Sequence, residues 1–131
     1  MKKILFLFNP YSGKCKIKEN LVDILKIFSK YEYQIEVYPT KAPLDGKRYL
    51  MSNGKYYDLI VCSGGDGTLN EIVSAIVETK LDIPLGYIPS GSTNDFGNSI
   101  GLSNNMIECA DIIMTKDVEI KNNEKALSIL V

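Results

Sequence analysis

Histidine is absent from all 131 residues. That excludes a Ser-His-Asp triad, a Cys-His pair and H-E-x-x-H zinc chemistry within this chain. Proton transfer must fall to a carboxylate, a lysine, a tyrosine or a group supplied from elsewhere. Cysteine is scarce: Cys15, Cys62 and Cys109 are odd in number, widely spaced and without a C-x-x-C pair. This argues against a disulfide framework or zinc site and for reduced cytosolic thiols. An excess of positive charge is also missing. The net charge is −1, whereas a phosphate-backbone binder needs clustered Lys and Arg, so no nucleic-acid partner is expected. The longest purely apolar run near the start, Ile4-Leu5-Phe6-Leu7-Phe8, is far below the ~20 residues of a membrane span. It follows Met1-Lys2-Lys3 but leads into Asn-Pro-Tyr-Ser-Gly-Lys with no small-residue cleavage site. It reads as a buried strand, not a signal peptide.

What is present has the composition of one ordinary globular domain, 45% hydrophobic and 24% charged, too short for two of typical size. No internal repeat, low-complexity segment or linker interrupts it. After the first strand and the turn Asn9 to Gly13, Leu21, Ile24, Leu25, Phe28 and Tyr31 recur at helical spacing. Gln34 to Tyr38 alternates like a strand and Pro39 ends it. A weaker helix is expected from Leu44 to Ser52, stopped by an αL signal at Asn53-Gly54. Leu59 to Cys62 is a third strand, Thr68 to about Glu78 a helix, and Pro84 to Ile88 a fourth strand. A helical turn at Thr93 to Ser99, a helix from Asn105 to Thr115, and a late β-hairpin of Val118–Ile120 and Ala126–Val131 around Asn122-Asn123 complete the reading. Strands alternating with helices imply an α/β fold, a doubly wound, mostly parallel sheet with helices on both faces. Ligands gather at the carboxyl ends of such strands.

Three of those ends carry glycine- and hydroxyl-rich turns. The strongest is Ser63-Gly64-Gly65-Asp66-Gly67-Thr68-Leu69-Asn70-Glu71. Its glycines free the backbone for φ > 0 and for close ligand approach, and the helix N-terminus that follows suits an anion. The spacing is not a Rossmann fingerprint, and Gly13-Lys14 is not a Walker A loop, since no Gly lies five residues before Gly13. Thr68 with Glu71 also forms a capping box, so both residues serve helix initiation equally well. Asp66 points to function, because a carboxylate between glycines beside an anion site is unfavourable unless a cation or hydroxyl is bound. In Asn9-Pro10-Tyr11-Ser12-Gly13-Lys14, Ser12 and Gly13 offer donors to phosphate or simply shape a strand-to-helix turn. In Pro89-Ser90-Gly91-Ser92-Thr93-Asn94-Asp95-Phe96-Gly97, Ser92 and Asp95 are ligands or a cap pair. Thr40 alone is a weak signal. Lys14, Lys16 and Lys18 read as a solvated face, and Tyr56-Tyr57 as packing.

Together, N-P-x-S-G-K, G-G-D-G-T-x-N-E and G-S-T-N-D-F in this order resemble the catalytic domain of diacylglycerol and related lipid kinases. The resemblance runs from Asn9 to about Leu102. The G-G-D-G turn alone is similar to that of NAD kinases and phosphofructokinases as well. The resemblance implies ATP in the cleft, with Asn9, Pro10, Tyr11, Ser12 and Gly13 lining the nucleotide and Thr40 contacting it. It further implies that Gly64 to Glu71 bind phosphate and ribose, with Asp66 catalytic and linked to Mg²⁺. No metal ligand set is assigned. Ser92 stands where the family usually has Thr and keeps the hydroxyl; Gly97 and Asn98 replace a common Ala and Arg.

The implied reaction is phosphoryl transfer from ATP to a membrane lipid hydroxyl, above all diacylglycerol to phosphatidic acid, by a cytoplasmic protein in peripheral contact with the inner membrane face. In that family a second, mostly β domain carries much of the lipid site and, in bacterial members, a carboxylate proposed as general base. Residues 1–131 are thus expected to be a single nucleotide-binding domain without it. A kinase acting on NAD and a non-catalytic nucleotide-binding module are the rival readings.

Overall fold

The structure, a computed structural model, describes residues 1–12, 16–90, 105–122 and 129–130. Strand β1 (Lys3–Phe8) is buried from its second residue on. Because successive side chains of a strand point to opposite faces, its apolar run supplies both sides of the sheet. Ile4, Phe6 and Phe8 enter one hydrophobic cluster, and Leu5 and Leu7 enter the other. Helix α1 (Lys16–Lys30) buries Ile17, Ile24 and Phe28, and Phe28 meets Phe6 edge-on with ring centroids 5.5 Å apart. Each fully buried side chain of this size contributes about 1.5–3 kcal/mol.

Strand β2 (Gln34–Pro39) is the half-exposed edge. Helix α2 (Asp45–Asn53) and a 3₁₀ turn (Gly54–Tyr56) lead into β3 (Leu59–Gly64), which is buried throughout. Helix α3 (Asp66–Thr79), β4 (Leu85–Pro89), α4 (Met106–Asn122) and β5 (Ile129–Leu130) follow. The sheet order is β2-β1-β3-β4-β5 and every neighbouring pair is parallel. Helix α1 packs on α4 and α2 on α3, with one cluster under each pair. The expected doubly wound α/β fold is what forms.

Register decides where the turns meet. Phe8 pairs with both Pro39 and Ser63, and Gly64 with Pro89, so β1 to β4 end on one level. Their ends are laced together: the N–H groups of Thr40, Asn9 and Ser90 donate to the carbonyls of Phe8, Ser63 and Gly64 at 2.9, 3.0 and 3.0 Å. The buried Ser63 and Ser90 hydroxyls lie 3.2 Å apart, and Tyr87 Oη donates to the Gly64 carbonyl at 3.1 Å.

Two local expectations are corrected. Val118–Ile120 is not a hairpin strand, because α4 runs through it to Asn122. Buried Met106, Cys109, Ala110, Ile113, Met114 and Asp117 keep helical spacing, and the Asp117 carboxylate accepts the Tyr33 hydroxyl at 2.5 Å. The expected final strand is present as Ile129–Leu130, paired parallel with β4. Gly54, expected to stop α2 in αL, has φ −56. A Cβ there would lie 2.5 Å from Leu81 Cδ1, so this glycine serves close packing. The helical turn expected at Thr93 to Ser99 lies outside the described residues.

Candidate functional site

The chain departs from β1 to β2 on one side and, after returning, to β3 on the other. In open parallel sheets this reversal leaves a crevice outside the carboxyl ends of the strands, where ligands bind. A cleft of about 400 Å³ opens there, lined by the turns after β1, β2 and β3.

The first wall is the turn after β1. Asn9 Oδ1 accepts the Tyr11 N–H at 2.9 Å and the Asn9 carbonyl accepts that of Ser12 at 3.3 Å. A side chain mimicking a backbone turn thus presents Asn9, Tyr11 and Ser12 to the cleft. The second wall is Thr40, Lys41, Ala42 and Pro43. Thr40 Oγ1 reaches the Phe8 carbonyl at 3.3 Å. The Lys41 N–H donates to Asp45 Oδ2 at 2.9 Å and the Tyr38 hydroxyl to Asp45 Oδ1 at 2.9 Å. Chiefly through the Lys41 N–H, the Asp45 carboxyl is held below its ordinary range. The Tyr38 hydroxyl rises, chiefly by donating to Asp45, and its ring stacks on Tyr49 at 4.0 Å.

The third wall is the start of α3, with Gly65, Gly67, Thr68 and Glu71. Gly65 is the N-cap, and no side chain caps this end. Its open N–H groups and positive dipole end suit an anion. The capping-box reading of Thr68 and Glu71 is corrected: Thr68 sits inside the helix, and Glu71 Oε1 accepts the Leu44 N–H at 2.9 Å. The expectation of φ > 0 is corrected at Gly65, whose φ is −84. Gly64 serves close packing instead. A Cβ on Gly64 would strike Thr68, while one on Gly67 would meet nothing within 4 Å beyond its own turn of helix.

The fold therefore gathers Asn9, Tyr11, Ser12, Thr40, Gly65, Gly67, Thr68 and Glu71 around one cleft. Pro10, Gly64, Asp66, Leu69 and Asn70 are not on its lining. Gly64 is buried in β3 and Leu69 in the core. Asp66, half-buried, opens α3. Its charge, after burial and Cys62, adds to the rise of the Tyr87 hydroxyl. Gly13 and Ser92 lie outside the described residues. Sequence reasoning missed Lys41, Ala42 and Pro43; their signal was their place directly after Thr40 at a strand's carboxyl end.

Comparison with known proteins identifies the family and the fold. The family model "Diacylglycerol kinase catalytic domain" matches residues 3–122. A curated diacylglycerol kinase of Staphylococcus aureus strain MRSA252 is 37% identical over 117 residues, covering 86% of this chain and 36% of the relative. The chain thus spans little more than a third of the curated relatives it matches. A crystal structure of a diacylglycerol kinase from Bacillus anthracis superposes with TM-score 0.78 at 28% identity, covering 88% of this chain and 42% of that one. A de novo designed Rossmann 2x3 protein, at 15% identity and TM-score 0.52, shares the fold alone. With 120 consecutive residues matched by the family model, the chain belongs to the diacylglycerol kinase catalytic domain family.

Proposed function

We propose that this chain is the ATP-binding half of a lipid kinase that moves the γ-phosphate of ATP to a lipid hydroxyl, diacylglycerol giving phosphatidic acid. The observation that carries this reading is the convergence of the β1, β2 and α3 turns on one cleft beside an uncapped helix N-terminus. In the transfer, the acceptor oxygen bonds to the γ-phosphorus, the bond to the β–γ bridging oxygen breaks, ADP leaves and the hydroxyl proton passes to a base. Such chemistry asks the protein chiefly for positioning and charge stabilisation.

Asn9 to Ser12 and Thr40 are proposed to line the nucleotide, and Gly64 to Glu71 to bind its phosphates and ribose, with Asp66 as the catalytic carboxylate. Gly13 and Ser92 join the set on motif alone. Among the described residues no group of three or more His, Cys, Asp or Glu is placed to hold a metal. Mg²⁺ characteristically uses one or two carboxylates together with substrate phosphates. Asp66 at the head of α3 fits that shared mode, and the ion would supply neutralisation of developing phosphate charge.

Lipid orientation and the general base are assigned to a second, β-rich domain. Among the described residues no helix is long and apolar enough to cross a membrane. A lipid acceptor calls for cytoplasmic protein to make peripheral contact at the inner face. The test has two arms. Calorimetry with Mg²⁺ and β,γ-imido-ATP should show binding to this chain, and the chain joined to a candidate second domain should phosphorylate dispersed diacylglycerol. Transfer to NAD instead, or binding without turnover in the joined protein, would replace this reading.

A further inference from the structure

The contact between Glu71 and Leu44 joins two walls of the cleft that are far apart in sequence. Leu44 precedes α2 with φ 69 and ψ −3, and no side chain caps that helix. The left-handed region is disfavoured for an L-residue with a Cβ, so something must hold it. The Leu44 side chain is 47% exposed, which makes burial a weak anchor. The backbone is held instead. At one end of the loop the Lys41 N–H is taken by Asp45 Oδ2, and the Asp45 N–H returns to the Ala42 carbonyl at 3.2 Å. At the other end, the Leu44 N–H is taken by Glu71 Oε1 at 2.9 Å. Glu71 belongs to α3, the helix that presents Gly65, Gly67 and Thr68 to the same cleft. A near-contact beneath the loop shows how closely α2 approaches: a Cβ on Gly46 would stand 3.3 Å from both Thr40 Cγ2 and Ile72 Cδ1.

We propose that Glu71 is a positioning residue, whose carboxylate oxygen clamps the Lys41–Pro43 wall against α3 through the Leu44 amide and so sets the width of the cleft. The proposal rests on the nucleotide reading of that cleft. On this reading Glu71 acts through reach, not through charge.

Two substitutions separate reach from charge. Glu71→Gln keeps a carbonyl oxygen at the same distance and removes the charge. Glu71→Asp keeps the charge and withdraws it by one methylene. In calorimetry with Mg²⁺ and β,γ-imido-ATP, Glu71→Asp and Glu71→Ala should weaken binding about tenfold, the scale of one lost hydrogen bond. Glu71→Gln should lose clearly less affinity than either. Amide hydrogen exchange without nucleotide should accelerate at Leu44 in the Asp and Ala variants and not in the Gln variant. If Glu71→Gln loses as much affinity as Glu71→Ala while Glu71→Asp retains it, the charge itself meets the ligand and the positioning role is overturned, with the nucleotide reading intact. Unchanged Leu44 exchange in Glu71→Ala also overturns it. A wild-type chain that binds no nucleotide removes the reading of the cleft, and this role with it.

Discussion

Gly64 and Thr68 approach so closely that a Cβ on the glycine would lie 2.5 Å from Thr68 Oγ1 and 2.7 Å from its Cβ. The carbonyl of the same glycine accepts both the Tyr87 hydroxyl and the Ser90 N–H, so the strand end has little freedom to retreat. Gly64→Ala should therefore destabilise the fold by about 1–3 kcal/mol, the usual cost of overpacking. Urea denaturation measures it; unchanged stability would mean that Thr68 simply turns aside.

Gly67 is the opposite case. It lines the cleft, and a Cβ there meets nothing within 4 Å beyond its own turn of helix. In a helix interior alanine is better than glycine by about 0.5–1 kcal/mol, and in the first turn by less. Gly67→Ala should leave stability equal or higher while weakening nucleotide binding, because the new methyl stands where a ligand would lie. Calorimetry and thermal melting on one sample decide this, and undiminished affinity would move the phosphates away from Gly67.

Asp66 heads α3 beside the cleft and not on its lining. If it works on transferred phosphate and its metal, Asp66→Ala in a complete two-domain enzyme should lower kcat by roughly 10²–10³, the scale for removing one preorganised electrostatic group. Nucleotide affinity should fall much less. Steady-state kinetics with diacylglycerol test this, and full activity would take Asp66 out of the mechanism.

Asp45 should tie the stability of the loop after β2 to acid. The Lys41 N–H holds its carboxyl below the ordinary value. A folded-state depression of this sign stabilises above the unfolded carboxyl value, near pH ~4, and the benefit is lost as pH falls through the folded value. Asp45→Asn should lower the melting temperature at neutral pH and flatten its decline below pH ~4. A parallel decline in both proteins would assign the acid sensitivity to other carboxylates.

Cys62 is fully buried in β3, and burial pushes its thiol up to about 12. Since the thiolate is the reactive form, iodoacetamide at mildly alkaline pH should modify Cys62 only as fast as the chain unfolds. Peptide mass spectrometry against time in denaturant measures that rate. Rapid labelling of the native protein would contradict the burial.

The elements came through in the sequence where apolar period was strong. Ile4–Phe8 and Leu59–Cys62 lack polar interruptions, so only burial on both sheet faces satisfies them. The G-G-D-G-T and N-P-x-S-G turns marked two walls of the cleft because glycine and proline act locally. The hairpin expected at Val118–Ile120 failed because short apolar stretches read equally as strand or helix. There the buried stripe from Met106 to Asp117 settled the matter by packing on β4 and α1.

The sequence by itself determined the order of strands and helices as far as β4, the absence of histidine chemistry and the turns rich in backbone donors, because these depend on neighbours along the chain. Tertiary structure alone decided which turns share a cleft, that Lys41 to Pro43 form its second wall, and that Glu71 bonds Leu44 rather than capping its own helix. The packing of α2 on α3 brings together residues 27 positions apart, as in that bond. No local pattern encodes such a distance.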